Sequence, residues 1–185
     1  MFFNKKENKN GKWQLIIIII IILVTCFLKA YSFFWPNTNV KISDKNYHVL
    51  VADTDSHRFI GWSSRDNMNN FDGMLFVFKD YSYHTMVMRD MNFPLDIVWA
   101  VAIDDEGKKC TLNSFGFRKL ITGLYHSCLV KVVDMAPQLA SEKNIPENEL
   151  TPYFSREKST VVLELPSGFT LENKLKIGDI IEITD

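Results

Sequence analysis

Residues 15–28, LIIIIIIILVTCFL, carry no charge and hold seven consecutive isoleucines. A stretch this apolar needs cover from lipid or protein, so the 185-residue chain divides into this segment and a body that folds apart from it. Counted from Trp13 to Trp35 the segment has 23 residues, broken by Gln14 and Lys29. At about 1.5 Å per residue it reaches roughly 34 Å, enough to cross a bilayer core. Lys29 can snorkel, and Tyr31, Phe33, Phe34 and Trp35 suit the headgroup region. Ahead of the run, Lys5, Lys6, Lys9 and Lys12 outnumber Glu7. That bias keeps residues 1–12 in the cytoplasm and sends the chain beyond the run outward. The expectation is an N-terminal transmembrane helix over 13–35 acting as an uncleaved anchor in the cell membrane. A cleaved signal sequence and lipidation at Cys26 are the alternatives. The run has no A-x-A signal after it, and LVTC lacks the small residue that a lipobox prefers before cysteine. All three readings place the body outside the cytoplasm.

The body, 36–185, has 16 basic and 21 acidic residues, a net charge of −5. Without a basic patch it repels a phosphate backbone, which argues against a nucleic-acid partner. Cys110 and Cys128 lie in this outer part, where a disulfide can persist. A bridge between them would close a loop of about 18 residues and add ~3 kcal/mol through chain entropy. Two free thiols are the other reading. The cysteines lack the C-x-x-C spacing of a structural zinc site.

Residues 36–46, PNTNVKISDKN, read as a polar linker, and 47–185 as a β domain. Short apolar runs rich in strand formers succeed one another: YHVLVA, GMLFVF, HTMVMR, LDIVWAVAI, LVKVVDM, STVVLEL and DIIEIT. Asp53, Thr54 and Asp55 are cap candidates for a brief helix that Gly61 ends. Residues 136–158 form a polar connection with one helical turn from Pro146. About eight short strands with one or two short helices predict a mainly β domain, a compact sandwich or jelly-roll-like barrel.

GMLFVF, MRDMNFPLDIVW, VVLELPSG and the closing IGD, with Arg65 four residues after Gly61, resemble the bacterial and archaeal family called domain of unknown function 192. The resemblance covers roughly 47–183. It implies a compact, jelly-roll-like β domain, often exported or membrane-anchored, with no established activity. The chain departs from the family pattern at three places, one of them a connection over 110–129 that is longer than the family's usual one. Trp62-Ser63 stands where Leu-Met is usual, and Met86-Val87-Met88-Arg89-Asp90-Met91 stands for F-W-M-K-N-T.

His84, Met86 and Met88 share one face of a strand. Thioether and imidazole suit Cu(I), so an extracytoplasmic Cu(I)-handling protein is one alternative function. Methionine is also a common core filler, and a core face is the preferred reading. No P-loop, G-x-S-x-G, G-x-G-x-x-G or H-E-x-x-H is present, so no cofactor is implied. A hydrolase-type enzyme with partners scattered along the chain is the other alternative. Four charges remain embedded in apolar pieces: Arg65, Arg89, Asp96 and Glu164. A carboxylate removed from water needs a cation or hydrogen bonds, so at least one Arg–carboxylate pair is expected among them, bordering a cleft. The sequence therefore predicts a binding or accessory module for a small molecule or a protein, not an enzyme.

Overall fold

A computed structural model describes residues 9–32, 34–104, 107–108 and 128–184. It forms two units, one ending at Phe34 and one beginning at Trp35. In the first, helix α1 runs Lys9–Ser32, 24 residues. Its side chains are described without a break from Trp13 to Phe27. The seven isoleucines are each between 45% and 56% exposed, so none is covered by protein in that unit. Among the described residues no helix is long and apolar enough to cross a membrane.

In the second unit, Asn37–Ile42 alternates half-buried and buried side chains, as a strand with one packed face must. This is β1. It turns through Ser43 and Asp44, both at positive φ, into β2, Lys45–Ala52. Ile42 pairs with Lys45, so the loop has two residues in the left-handed geometry that matches strand twist. The stretch 36–46 is therefore not a linker but the first hairpin. Its outward Asn and Lys side chains gave it a polar composition.

The other strands are β3 (Gly73–Ser82), β4 (Thr85–Met86), β5 (Leu95–Ile103), β6 (Cys128–Leu139), β7 (Tyr153–Phe154), β8 (Ser159–Pro166) and β9 (Ile180–Thr184). Seven close into a barrel in the order β1-β2-β3-β8-β5-β6-β9, while β4 and β7 form a small separate pair. Of the two expected forms, sandwich or barrel, the domain takes the closed barrel. Pairing of Asn39 with Thr184 joins β1 to β9 and removes both free edges. HTMVMR yields only the two residues of β4. The two cysteines of the possible disulfide lie outside the described residues, Cys110 entirely and Cys128 in its side chain.

Among the described strands, only β2 and β3 pair in parallel. A parallel pair needs a crossover, and here it carries helix α2, Asp55–Ile60. The Thr54 hydroxyl accepts from the His57 amide to cap it. Gly61 ends it at φ 50, where a Cβ would also press to 3.4 Å from the Phe76 ring. A turn of 3-10 helix at Glu147–Glu149 follows Pro146, and a one-turn helix α3 spans Phe169–Glu172.

Period-two alternation divides the apolar residues between two cores. Val49, Val51, Leu75, Val98, Val161 and Leu163 fill the barrel. Leu50, Met74, Phe76, Ile97, Trp99 and Val162 point outward from the same strands. That outer layer is covered by Trp62, Met86, Met88 and Met91. Strands buried on both faces read as continuous apolar runs, which is why β3, β5 and β8 were visible in the sequence.

Candidate ligand cleft

Glu164 lies in the middle of β8, between Met74 of β3 and Ile97 of β5. Alternation puts it beside Val162 on the outward face, and it is 4% exposed. Gly73 allows the close approach of β3 here, since a Cβ on it would fall 2.5 Å from the Glu164 carbonyl oxygen. Among the described residues, the Glu164 carboxyl has neither a hydrogen bond nor an ion pair. Burial alone pushes it up to about 8, so at neutral pH it is mainly the neutral acid. Over it opens a cleft of about 330 Å³.

Two arginines stand in the wall of that cleft. Arg58, on α2, donates from Nη1 to the carbonyls of Asp53 at 2.9 Å and Val77 at 2.7 Å. Its Nη2 pairs with Asp55, and its guanidinium lies 5.4 Å from the Phe78 ring centre. Arg89 donates from Nε and Nη2 to the two carboxylate oxygens of Glu147, and from Nη1 to the Phe59 carbonyl at 2.8 Å. It lies 4.2 Å over the Phe59 ring. The paired hydrogen bonds raise Arg89 above its ordinary value and hold Glu147 below its own. The Ser63 hydroxyl donates to the Arg89 carbonyl at 2.9 Å, which ties the turn after α2 to the segment after β4.

Of the four charges singled out in the sequence, Arg89 and Glu164 line the cleft and Arg65 and Asp96 do not. No arginine pairs with either carboxylate among the described residues. Asp96 points into the barrel end, fully buried, and accepts from the amides of Gln138 (2.8 Å), Gly168 (2.9 Å) and Thr170 (2.8 Å) and from the Thr170 hydroxyl (2.6 Å). Burial opposes its charge, but these donors outweigh it and hold the carboxyl below its ordinary value. Arg65 lies over Trp35 and Trp62, 5.1 and 5.3 Å from their ring centres, and burial lowers its pKa. The expected Arg–carboxylate pair is corrected accordingly. Backbone amides took one carboxylate, and Glu147, from the polar connection, took Arg89.

The three donors considered for Cu(I) are each engaged in packing. His84 stacks on Phe78 with ring centres 3.6 Å apart, Met86 lines the cleft, and Met88 is fully buried in the outer core. Met88→Leu should cost less than about 1.5 kcal/mol, as volume-conserving core swaps do. A larger loss in a denaturation curve would give Met88 a role beyond packing. Ser82 Oγ stands 3.5 Å from His84 Nε2, the only nearby nucleophile–histidine approach found among the described residues. Its hydroxyl already donates to the Asp80 carboxylate at 2.5 Å, and burial lowers the basicity of His84. The carboxylate thus holds the serine proton instead of orienting the imidazole, which is not the arrangement of a triad.

Arg58, Asp55 and Glu147 were not foreseen. The three-residue spacing of Asp55 and Arg58 on a helix was a usable signal for their pairing. Glu147 had none.

The family model of DUF192, described as Uncharacterized ACR, matches residues 38–108. It thus takes in β1 to β5, including Arg58 and Arg89, and stops short of Glu164. No curated protein matches the chain. Two crystal structures share the fold. One is a protein of unknown function from Novosphingobium aromaticivorans, 19% identical, with a TM-score of 0.53 over 80% of this chain and 84% of the other. The second, from Sinorhizobium meliloti, is provisionally described as a transcription regulator. It is 20% identical, with a TM-score of 0.57 over 80% of this chain and 95% of the other. Trp62, Ser63, Met86 and Val87, four of the positions at which the chain departs from the pattern it resembles, line the cleft.

Proposed function

We propose that the barrel is a ligand-binding module with no catalytic step of its own, held at the outer side of the membrane by the apolar amino-terminal segment. The observation that carries the binding role is Glu164, a largely buried carboxyl with no protein partner among the described residues, at the floor of an aromatic-walled cleft. Its carboxyl faces the cleft, so the groups that complete its hydrogen bonds must come from there, as water or as a ligand. A cleft of this size suits a small molecule. The regulator description of the Sinorhizobium protein is not carried over, because likeness at 20% identity speaks for the fold alone and a body of net charge −5 repels a phosphate backbone. A thermal-shift screen of the full chain in detergent against sugars, nucleotides, peptides, small acids and small amines tests the reading. At least one ligand should raise the melting temperature, and Glu164→Leu, which fills the floor with an apolar group, should abolish that rise. A screen in which nothing stabilises the wild type overturns it.

The anchoring role rests on the lysine bias before the isoleucine run and on isoleucines that no protein surface covers in that unit. Protease added to intact cells should remove residues 36–185 and leave the amino-terminal segment with the membrane. A body digested only after lysis would reverse the topology.

A further inference from the structure

We infer that the cleft takes a small ligand bearing a carboxylate, which docks between Arg58 and Arg89 while an acceptor on the ligand receives a hydrogen bond from Glu164. This rests on the reading of the barrel as a binding module, and deepens it by naming the ligand chemistry.

The two cations belong to the fold and their counter-ions do not. The side chains of Arg58 and Arg89 are 16% and 21% exposed, whereas those of Asp55 and Glu147 are 100% and 65% exposed. Each guanidinium is also held by backbone carbonyls and lies over a phenylalanine ring. Ion pairs open to water are worth about 0–1 kcal/mol. An incoming carboxylate can therefore displace Asp55 or Glu147 at little cost and meet a guanidinium fork already in position.

Glu164 fits the same ligand. The charged groups that line the cleft with it are Asp55 and Arg58 from α2 and Arg89 from the segment after β4, while the neighbouring strands present apolar Met74, Phe76 and Ile97. No cation bonds to it, so it stays protonated and does not repel an anion. Its O–H has no acceptor among the described residues, and a ligand oxygen supplies one. An amine would need Glu164 to ionise and would share the space with two guanidinium groups. Phe76, Phe78 and Met86 between the polar points ask for an apolar body.

Phenylacetate, phenethylamine and 2-phenylethanol are matched probes of this inference, titrated calorimetrically into the full chain in detergent. Phenylacetate should bind at pH 7 at least about tenfold more tightly than the other two. Glu147→Gln should tighten it severalfold, because Arg89 loses its internal competitor, and Arg89→Gln should weaken it by about tenfold or more. Glu147 is a surface residue, so its variant remains decisive where Arg89→Gln fails to fold. From pH 7 to pH 9 phenylacetate affinity should fall about tenfold as the protonated fraction of Glu164 shrinks, and Glu164→Gln should flatten that fall. Phenethylamine or 2-phenylethanol binding as well as phenylacetate overturns the carboxylate assignment and leaves the module standing. So does a phenylacetate affinity that Glu147→Gln leaves unchanged or weakens. Failure of all three probes, when the thermal-shift screen finds another ligand, also overturns only the assignment. Failure in both experiments overturns both readings.

Discussion

Glu164→Gln is expected to stabilise the barrel in mildly alkaline solution and to remove most of its loss of stability between pH 5 and pH 8. An ordinary glutamate titrates at 4.5, whereas Glu164 is pushed up to about 8. The folded state therefore holds a proton that the unfolded state releases. The stability linked to this group is fully present below pH 4.5 and is lost as pH rises through about 8. At 1.36 kcal/mol per pH unit the loss reaches about 5 kcal/mol as an upper bound, which water entering the cleft reduces. Glutamine is neutral throughout and close in shape. Urea midpoints of the full chain at pH 5, 6.5 and 8 should fall for the wild type and stay level for the variant. A wild-type midpoint that does not move across this window would mean that Glu164 ionises as freely as a surface residue.

Asp96→Asn should destabilise the domain by about 3 kcal/mol. Four donors converge on the Asp96 carboxylate, three backbone amides and the Thr170 hydroxyl, all within 2.9 Å. An asparagine has one acceptor oxygen, and its NH2 group would face amide hydrogens that have no other partner. Hydrogen bonds to a charged group are worth about 1.5–3 kcal/mol each, and an unsatisfied buried donor adds a desolvation cost. The effect depends on pH in the opposite sense to that of Glu164. The Asp96 pKa is held below its ordinary value, so its stabilising contribution is present above that value and disappears as pH falls. The difference between wild type and variant should therefore be largest near neutrality and shrink in acid. A loss below about 1 kcal/mol at pH 7 would show that the amide cluster can rearrange around a neutral side chain.

The two residues show how far the sequence could be read. A carboxylate inside LDIVWAVAI or VVLELP announces that something must satisfy it, and both proved to be buried. The satisfying groups were not legible. For Asp96 they are backbone amides of a β6 bulge and of the turn into α3, which any residue type could supply. For Glu164 nothing among the described residues bonds to it, and the apolar neighbours that keep it protonated look like ordinary core. β5 and β8 stood out because both of their faces are covered. β1 did not, because NTNVKI buries only Thr38, Val40 and Ile42 and shows polar groups on the other side. Arg58 and Glu147 come from a six-residue helix and a polar connection, where spacing predicts little about distant contacts.

The seam between β1 and β9 has a consequence for how the protein is made. Asn39 pairs with Thr184, so the barrel cannot close until the strand at 180–184 has been synthesised. Through the whole of translation β1 and β6 present unpaired edges, open to pairing with other chains. Contacts this distant in sequence form slowly, and before closure no native cleft exists for a ligand to stabilise. The nascent domain must then depend on the speed of that closing step, or on help from chaperones, to escape aggregation and proteolysis. Mutations that slow docking of β9 should lower yield in cells more than they lower the stability of the protein that does mature.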